Sequence, residues 1–307
     1  MEVHKSNSKH ITWLNQVSRV CECPPNHLNC LTGKEWVKAM VGVWEFSYEP
    51  RDIRDKSIHP AVFPIALAKR VVSLFSHCGE VVLDPFNGMG TTLLACQDTQ
   101  RHGIGLDLNP TYCKQARTRV AQERLLPFLD PSYFKSRVEV ICTDARQMRH
   151  YLPDNSIDLV FTSPPYANIL DHKRTNKSLH STKRQSPRQG IREQYSEDSR
   201  DLGINDPDSF IQAFYSIFEM LYHVLKPGKR CVVNIRDVVP YFLHIPVIET
   251  LQKLNFTLRN IIIWNKAPLI QRLGIFGYPS NFIALNSAYE YILDFQSNKS
   301  NDKNNSD

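Results

Sequence analysis

The sequence predicts an α/β protein with a mostly parallel, doubly wound sheet and helices on both faces. Short apolar runs alternate with helical periodicity between residues 65 and 166. Three of the runs end in an acid, namely Asp84, Asp107 and Asp144. Strands buried on both faces give such continuous apolar runs, and their alternation with helices indicates a parallel sheet.

The elements can be placed in order along the chain. The run 65–75 has apolar residues at helical spacing, and Gly79 is a plausible helix stop. The segment 36–46 is expected to be a short helix or strand ahead of the core. Further helices are expected from 91, at 110–123 and at 208–224, and strands at 80–84, 102–107, 138–144, 158–161, 230–235, 260–264 and 289–295. The last strand is expected to be antiparallel and to close a seven-stranded sheet.

Length and composition suit one large domain. The chain has 307 residues, 42% of them hydrophobic, and a net charge of +6. We expect an N-terminal extension (1–56), a catalytic domain (57–297) with a basic insertion (168–207), and a polar tail (298–307). No run reaches the 18 or so apolar residues of a membrane span, and the N-terminus lacks a signal-peptide core, so a cytoplasmic protein without membrane contact is expected.

The eight cysteines are irregularly spaced, and we expect them to be reduced and mostly packed, as for Cys142 in its apolar run. One cluster, Cys21, Cys23, His27 and Cys30, could supply four zinc ligands. The single residue between Cys21 and Cys23 is too short for the common zinc knuckle. A proline-containing loop is therefore favoured, and no metal is expected.

The acids and the glycine turn predict a ligand site at the carboxyl ends of the strands. Open α/β sheets bind ligands there, near the switch in strand order. Asp107 is well placed to accept hydrogen bonds from ribose hydroxyls, as it would be in a dinucleotide fold, so this residue alone does not choose the cofactor. The loop DPFNGMGTT (84–92) is not G-x-G-x-x-G, and its leading carboxylate suits a cationic ligand better than a pyrophosphate.

At this point the chain resembles the amino-methyltransferases that modify cytosine N4 or adenine N6 of DNA. The resemblance rests on DPFNGMGTT, GLDLNP, TDA, TSPPY and the upstream HPAVFP, covers roughly residues 57 to 166 closely, and continues loosely to 295. It implies a Rossmann-like S-adenosylmethionine-dependent methyltransferase fold. Many relatives place the SPPY motif first, so the position of their target-recognition region is not carried over.

The same resemblance implies a set of cofactor-binding residues. Asp84, Phe86, Gly88 and Gly90 would line the methionine side, Asp107 would hold the ribose, and Asp144 the adenine amino group. His59, Pro60 and Phe63 would help to enclose the cofactor. The remaining members of the expected set are Pro85, Thr91, Thr92 and Ala145.

Ser163-Pro164-Pro165-Tyr166 is the most specific motif and is expected to be catalytic. An exocyclic base amine is a poor nucleophile because its lone pair is delocalised into the ring. The Ser163 oxygen and the Pro164 carbonyl could accept its two hydrogens, and the prolines would fix these acceptors in place. Tyr166 could stack on an extruded base.

The type of base follows from two further observations. Carbon-5 cytosine methylation usually needs a cysteine preceded by proline, and no Pro-Cys dipeptide occurs in the chain. In the family, Ser at the first motif position is associated with cytosine N4, and Asp or Asn with adenine N6. The sequence therefore favours cytosine N4, with adenine N6 as the alternative.

Substrate binding is expected from the segment 172–200, which holds eight Lys or Arg against three acids. Such charge beside a catalytic motif suits contact with DNA phosphates, although a solvated insertion would have the same composition. Candidate contacts are Lys173, Arg174, Lys183, Arg184 and Arg188.

Double-stranded DNA is the expected partner, and the family implies the modification enzyme of a type II restriction–modification system with a separately acting endonuclease. RNA base methylation and a non-catalytic nucleic-acid-binding module are the alternatives. The oligomeric state stays open.

Overall fold

The computed structural model describes residues 10–23, 29–53, 63–123, 136–165, 198–237, 242–268 and 288–300. Within these residues, eight strands form one sheet: β1 (Val43–Trp44), β2 (Val81–Asp84), β3 (His102–Asp107), β4 (Val138–Cys142), β5 (Ile157–Thr162), β6 (Leu225–Ile235), β7 (Phe256–Asn265) and β8 (Tyr289–Ser297). The α-helices are α1 (Gly33–Ala39), α2 (Pro50–Ile53), α3 (Ile65–Phe75), α4 (Thr91–Asp98), α5 (Pro110–Glu123), α6 (Pro207–Val224) and α7 (His244–Lys253). Short 3-10 helices span Thr12–Gln16, Ala145–His150 and Leu202–Ile204.

The strand order is β1-β7-β8-β6-β5-β2-β3-β4. Strand β8 runs antiparallel to both of its neighbours, and the other pairs are parallel. The chain moves outward from β2 through β3 to β4, and then returns to β5 on the other side of β2. The reversal of strand order between β2 and β5 creates the crevice in which α/β sheets bind their ligands.

Helices cover both faces of the sheet because the central strands are apolar on both sides. In β2, Val81 and Leu83 face one core cluster, and Val82 faces another. Helix α6 packs its buried phenylalanines on the first face, whereas α3 packs Leu67 and Val71 on the second. The two-layered core confirms the predicted doubly wound, Rossmann-like fold.

Most elements lie where the sequence predicts them, and α3, β3 and α5 have the predicted bounds. The sheet has one strand more than the predicted seven, because β1 adds to the outer edge beside β7. This two-residue strand is anchored by Trp44, which is 1% exposed. The single helix or strand predicted at 36–46 is instead two elements, β1 and the helix α1, which begins with a capping box between Thr32 and Glu35.

Two general expectations can be compared with the described residues. No helix among them is long and apolar enough to cross a membrane. Cys96, Cys113 and Cys231 are buried, as expected, whereas Cys142, at the end of the edge strand β4, is exposed. The proposed domain boundaries stay a prediction.

A cleft at the carboxyl ends of the strands

A cleft of about 910 Å³, including the solvent at its mouth, opens beside the ends of β2, β3 and β5. Eleven of the predicted site residues line it: Phe63, Pro85, Phe86, Gly88, Thr91, Asp107, Asp144, Ala145, Ser163, Pro164 and Pro165. The predicted cofactor loop and the predicted catalytic motif therefore face one common space. This juxtaposition follows from the parallel pairing of β2 with β5, which brings the ends of the two strands together.

The glycine loop after β2 approaches the cleft with its backbone. Gly88 and Gly90 have φ angles of +49° and +80°, a left-handed conformation that side chains rarely adopt. A Cβ atom at Gly90 would also lie 3.1 Å from the Cβ of Ala116. The Gly88 amide donates a hydrogen bond to Asp107 Oδ2 at 2.7 Å, which ties the loop to the end of β3.

Asp107 is the central acid of the cleft. Its Oδ1 accepts a hydrogen bond from the Asn109 amide at 2.8 Å. Burial raises the pKa of Asp107 to about 6. Asp201 also lines the cleft, and burial raises the pKa of its carboxyl group as well. When ionised, the two carboxylates would attract a cationic ligand to this part of the cleft, which Arg200 also lines.

Asp144 lies at the start of the 3-10 helix after β4. Its carboxylate accepts hydrogen bonds from the backbone and the guanidinium of Arg146, with an ion pair of 2.7 Å. The side chain is largely buried but lines the cleft. A ligand amino group that donates a hydrogen bond to Asp144 would therefore share the carboxylate oxygens of Asp144 with Arg146.

Asp84 lies behind the cleft wall and does not line it, nor do Gly90 and Thr92. Asp84 is 1% exposed, and its oxygens accept hydrogen bonds from Thr92 and Thr162, each at 2.6 Å. The Phe86 amide donates a third bond at 3.1 Å. Burial raises the pKa of Asp84 to about 6, against the lowering effect of these bonds. Asp84 thus joins the glycine loop, α4 and β5, the element that carries the catalytic motif.

Ser163, the first residue of the predicted catalytic motif, directly follows the last residue of β5. Ser163 Oγ accepts a hydrogen bond from Asn234 Nδ2 at 3.4 Å, and the same amide nitrogen donates to Glu290 Oε2 at 2.7 Å. Glu290 in turn pairs with Lys266. Ser163 is therefore held by a polar network that crosses β6 and β8.

Several predicted site residues lie outside the described ranges. These are Tyr166 of the catalytic motif, His59 and Pro60 of the cofactor segment, and the five basic residues Lys173, Arg174, Lys183, Arg184 and Arg188. Their roles stay predictions. Phe63, the described member of the upstream segment, lines the cleft with its ring 5.3 Å from that of Phe161.

Sequence reasoning did not find the remaining lining residues or the Ser163 network. The additional lining residues are Asn87, Met89, Leu108, Asn109, Tyr112, Arg200, Asp201, Leu202 and Ile217. The only sequence signal for the network is a polar residue inside an apolar strand, as for Asn234 in CVVNI. Asp201 and Leu202 lie near the end of the basic insertion (168–207), and nothing in their spacing links them to the cleft.

The strand order, with one antiparallel strand beside the end of an otherwise parallel sheet, and the cleft at β2 and β5 define a methyltransferase-type α/β protein. Comparison with known families agrees with this. The DNA methylase family matches residues 4–118 and 157–307, and a general methyltransferase domain matches residues 83–189. The chain belongs to the DNA methylase family.

Individual relatives are similar over a limited region. The type II methyltransferase M.HpaI of Haemophilus parainfluenzae is 40% identical over 81 residues, which are 26% of each chain. M.SmaI of Serratia marcescens is 40% identical over 82 residues, 27% of each chain. The alignments thus span about a quarter of the length of these relatives. A solved precorrin 8W decarboxylase from Methanobacterium thermoautotrophicum aligns with 81% of this chain and 98% of its own, at 14% identity and a TM-score of 0.47.

Proposed function

We propose that the chain is a DNA methyltransferase that transfers a methyl group from S-adenosylmethionine to the N4 amino group of a cytosine in duplex DNA. The observation that carries the proposal is the common cleft, which Ser163 and Pro164 line together with the glycine loop and Asp107. Similarity to type II methyltransferases favours the modification enzyme of a restriction–modification system.

The acidic side chains that line the cleft suit a cationic methyl donor. S-adenosylmethionine carries a sulfonium and an ammonium group, and the acids Asp107 and Asp201 line the cleft. Asp107 stands at the end of β3, where its carboxylate can accept hydrogen bonds from ribose hydroxyls. The backbone of the glycine loop leaves space beside it. When bound, the donor supplies an electrophilic methyl group.

The chain's own contribution to the reaction is to orient the base amine. The Ser163 hydroxyl and the Pro164 carbonyl accept the two hydrogens of the amine, which directs its lone pair toward the methyl carbon. Once the amine has accepted the donor's methyl group, it would lose one proton to solvent. Asn234 donates to Ser163 Oγ and thus keeps one lone pair of that oxygen directed away from the base.

Cytosine N4 is preferred over adenine N6 because Ser, rather than Asp or Asn, begins the motif. The segment 172–200 of the basic insertion would bind the DNA backbone, since its eight cations against three acids favour a polyanion. Adenine N6 methylation is the alternative within the same chemistry, and an RNA base is the alternative substrate.

The test is methyl transfer from labelled S-adenosylmethionine to unmethylated duplex DNA, with total tRNA as a second substrate. Digested product DNA is then analysed by mass spectrometry for N4-methylcytosine and N6-methyladenine. We expect label in DNA, with N4-methylcytosine as the modified nucleoside. Exclusive N6-methyladenine would establish the alternative base, and label in tRNA alone would overturn the DNA assignment.

Two variants separate binding from chemistry. Ser163→Ala removes one acceptor and should lower kcat about 100-fold or more while S-adenosylmethionine still binds. Asp107→Ala should instead weaken binding of the donor, measured by calorimetry. Equal activity of Ser163→Ala and the unaltered chain would refute the proposed role of the motif.

A further inference from the structure

Three cysteines and one histidine meet at the opposite end of β2 from the cleft. Cys21, Cys23, Cys30 and His77 each contribute one ligand atom, and none of these atoms is more than 4.8 Å from another. His77 Nδ1 lies 3.3 Å from Cys21 Sγ and 3.7 Å from Cys30 Sγ. From these distances and the identity of the four side chains we propose that the cluster is a structural zinc site.

The distances suit a tetrahedral ion. With zinc–sulfur bonds of about 2.3 Å and zinc–nitrogen bonds of about 2.0–2.1 Å, sulfur and nitrogen ligands lie about 3.5 Å apart. The two measured sulfur–nitrogen separations are close to this value. Three thiolates with one imidazole are a frequent ligand set of structural zinc, and four protein ligands leave no position open for a substrate.

Two of the sulfur atoms accept hydrogen bonds from groups outside the cluster. Arg19 Nε donates to Cys21 Sγ at 3.0 Å, and the Cys78 amide donates to Cys30 Sγ at 3.3 Å. Zinc bound by three thiolates and one neutral histidine carries a net charge of −1, which Arg19 would offset. Such donors to ligand atoms orient a metal site and stabilise its charge.

The position of His77 indicates what the ion would do. His77 is 5% exposed and lies between α3 and β2, while the three cysteines lie in the N-terminal segment. The same two segments are already joined by the Val20 amide, which donates to the Cys78 carbonyl at 2.9 Å. Zinc would therefore clamp the N-terminal segment onto the connection that leads into β2, away from the cleft beyond Asp84.

The structure also changes the ligand set that the sequence suggested. The sequence placed His27 with the cysteines, and the short Cys21–Cys23 spacing argued against a metal. His27 lies outside the described residues, and the histidine that joins the cysteines is 47 residues beyond Cys30. The first two cysteines need not form a knuckle with each other, because Cys30 follows seven residues later and the fourth ligand, His77, comes from a separate segment.

The first measurement is the metal content of the full chain, purified without a metal-binding tag from cells grown with added zinc. We expect one zinc per chain by mass spectrometry of the elements. The cobalt-substituted chain should show intense tetrahedral d–d bands and thiolate-to-cobalt charge transfer. Absence of bound metal, iron in place of zinc, or a disulfide among the three cysteines in the intact-mass spectrum would overturn the proposal.

Variants then assign the ligands. Cys23→Ser and His77→Ala should lose zinc, whereas Cys142→Ser, which changes an exposed cysteine outside the cluster, should keep it. Arg19→Gln leaves all four ligands in place and should weaken zinc binding about 10-fold or more in competition with a chelator. Full zinc content in both ligand variants would refute the assignment. If a ligand variant fails to fold, the cobalt spectrum of the unaltered chain still decides.

Discussion

Replacement of Asp84 by Asn should stabilise the protein at neutral pH and not at acid pH. Burial raises the pKa of Asp84 from its ordinary 3.8 to about 6, although three hydrogen bonds favour its charged form. In the unfolded chain the pKa returns to about 3.9. Because the folded state holds this proton more tightly, the stability that Asp84 contributes falls as the pH rises from about 4 to about 6.

The magnitude follows from the size of the shift. Raising the pKa of Asp84 by about 2 corresponds to a loss of about 3 kcal/mol of unfolding free energy when the carboxylate is ionised, at 1.36 kcal/mol per pKa unit. The group is 1% exposed, so solvent screening reduces this little. Asn can keep the local hydrogen bonds: its oxygen accepts from Phe86 and Thr162, and its amide can donate to Thr92 Oγ1 once that hydroxyl rotates. We therefore expect a gain near zero at pH 4 and of up to about 3 kcal/mol at pH 8.

Urea unfolding of the two proteins at several pH values between 4.5 and 8 measures this difference. Apart from Asp107, whose raised pKa depends partly on the charge of Asp84, the other carboxylates titrate alike in both proteins and cancel. Asp98→Asn is the matched control, since Asp98 is paired with Arg51 at 2.9 Å and with Lys69 at 3.2 Å, and its removal should not stabilise. A difference between Asp84→Asn and the unaltered chain that does not change with pH, or a loss of stability at pH 8, would refute the reasoning.

Three further predictions concern binding and catalysis. If the ionised form of Asp107 binds the methyl donor, the Kd should rise about tenfold per pH unit below about 6. The charge of Asp84 contributes to the raised pKa of Asp107, so in Asp84→Asn the rise in Kd should begin at a lower pH. Calorimetric titration of each protein with the donor at pH 5 to 8 measures the two Kd profiles. Asn234→Ala should lower kcat about tenfold with little change in donor KM, and Asn234→Ser should recover part of the lost kcat. A purely structural role would instead change the stability, kcat and KM together. Neutralising the basic insertion should weaken DNA binding and reduce its salt slope by about 1 per lost phosphate contact, with unchanged donor affinity. The residues to neutralise are Arg174, Lys183, Arg184 and Arg188, and the control neutralises Lys34, Lys38, Lys114 and Lys253, which are exposed. Salt dependence that is the same in both variants would contradict a role for the insertion.

The fold could be predicted from the sequence because each central strand carries its own signal. β2 and β3 are continuous apolar runs that end in an acid, and α3 has an apolar stripe at helical spacing. β1 could not be predicted in the same way, since it has two residues and depends on pairing with the distant Ile263 and Trp264. Short edge strands are defined by their partner rather than by their own pattern.

The site could be predicted as a set of residues but not as an arrangement. The acids and the Ser-Pro-Pro motif mark the cleft, because the ends of parallel strands meet at one edge. The role of each residue depends on how deeply its side chain is buried, and the spacing of residues along the chain does not reveal this. Asp84 was expected to face the donor, and the structure places it behind the wall, where Thr92 and Thr162 enclose it. The cysteine cluster depends in the same way on His77, which is distant in sequence and adjacent only after folding.

Because Asp84 is buried behind the cleft wall, its hydrogen bonds help to fix the position of Ser163. Thr162, the last residue of β5, donates to Asp84 at the end of β2, while Ser163 accepts from Asn234 of β6 on the other side. Asn234 bonds Glu290 of β8, which pairs with Lys266 just after β7. The turn at Ser163 is thus fixed by hydrogen bonds to both neighbouring strands, and its position follows the register of the sheet rather than the conformation of a loop. If this turn orients the base amine as proposed, the hydrogen bonds of Asp84 would keep it at a constant separation from the glycine loop, which alignment for methyl transfer requires.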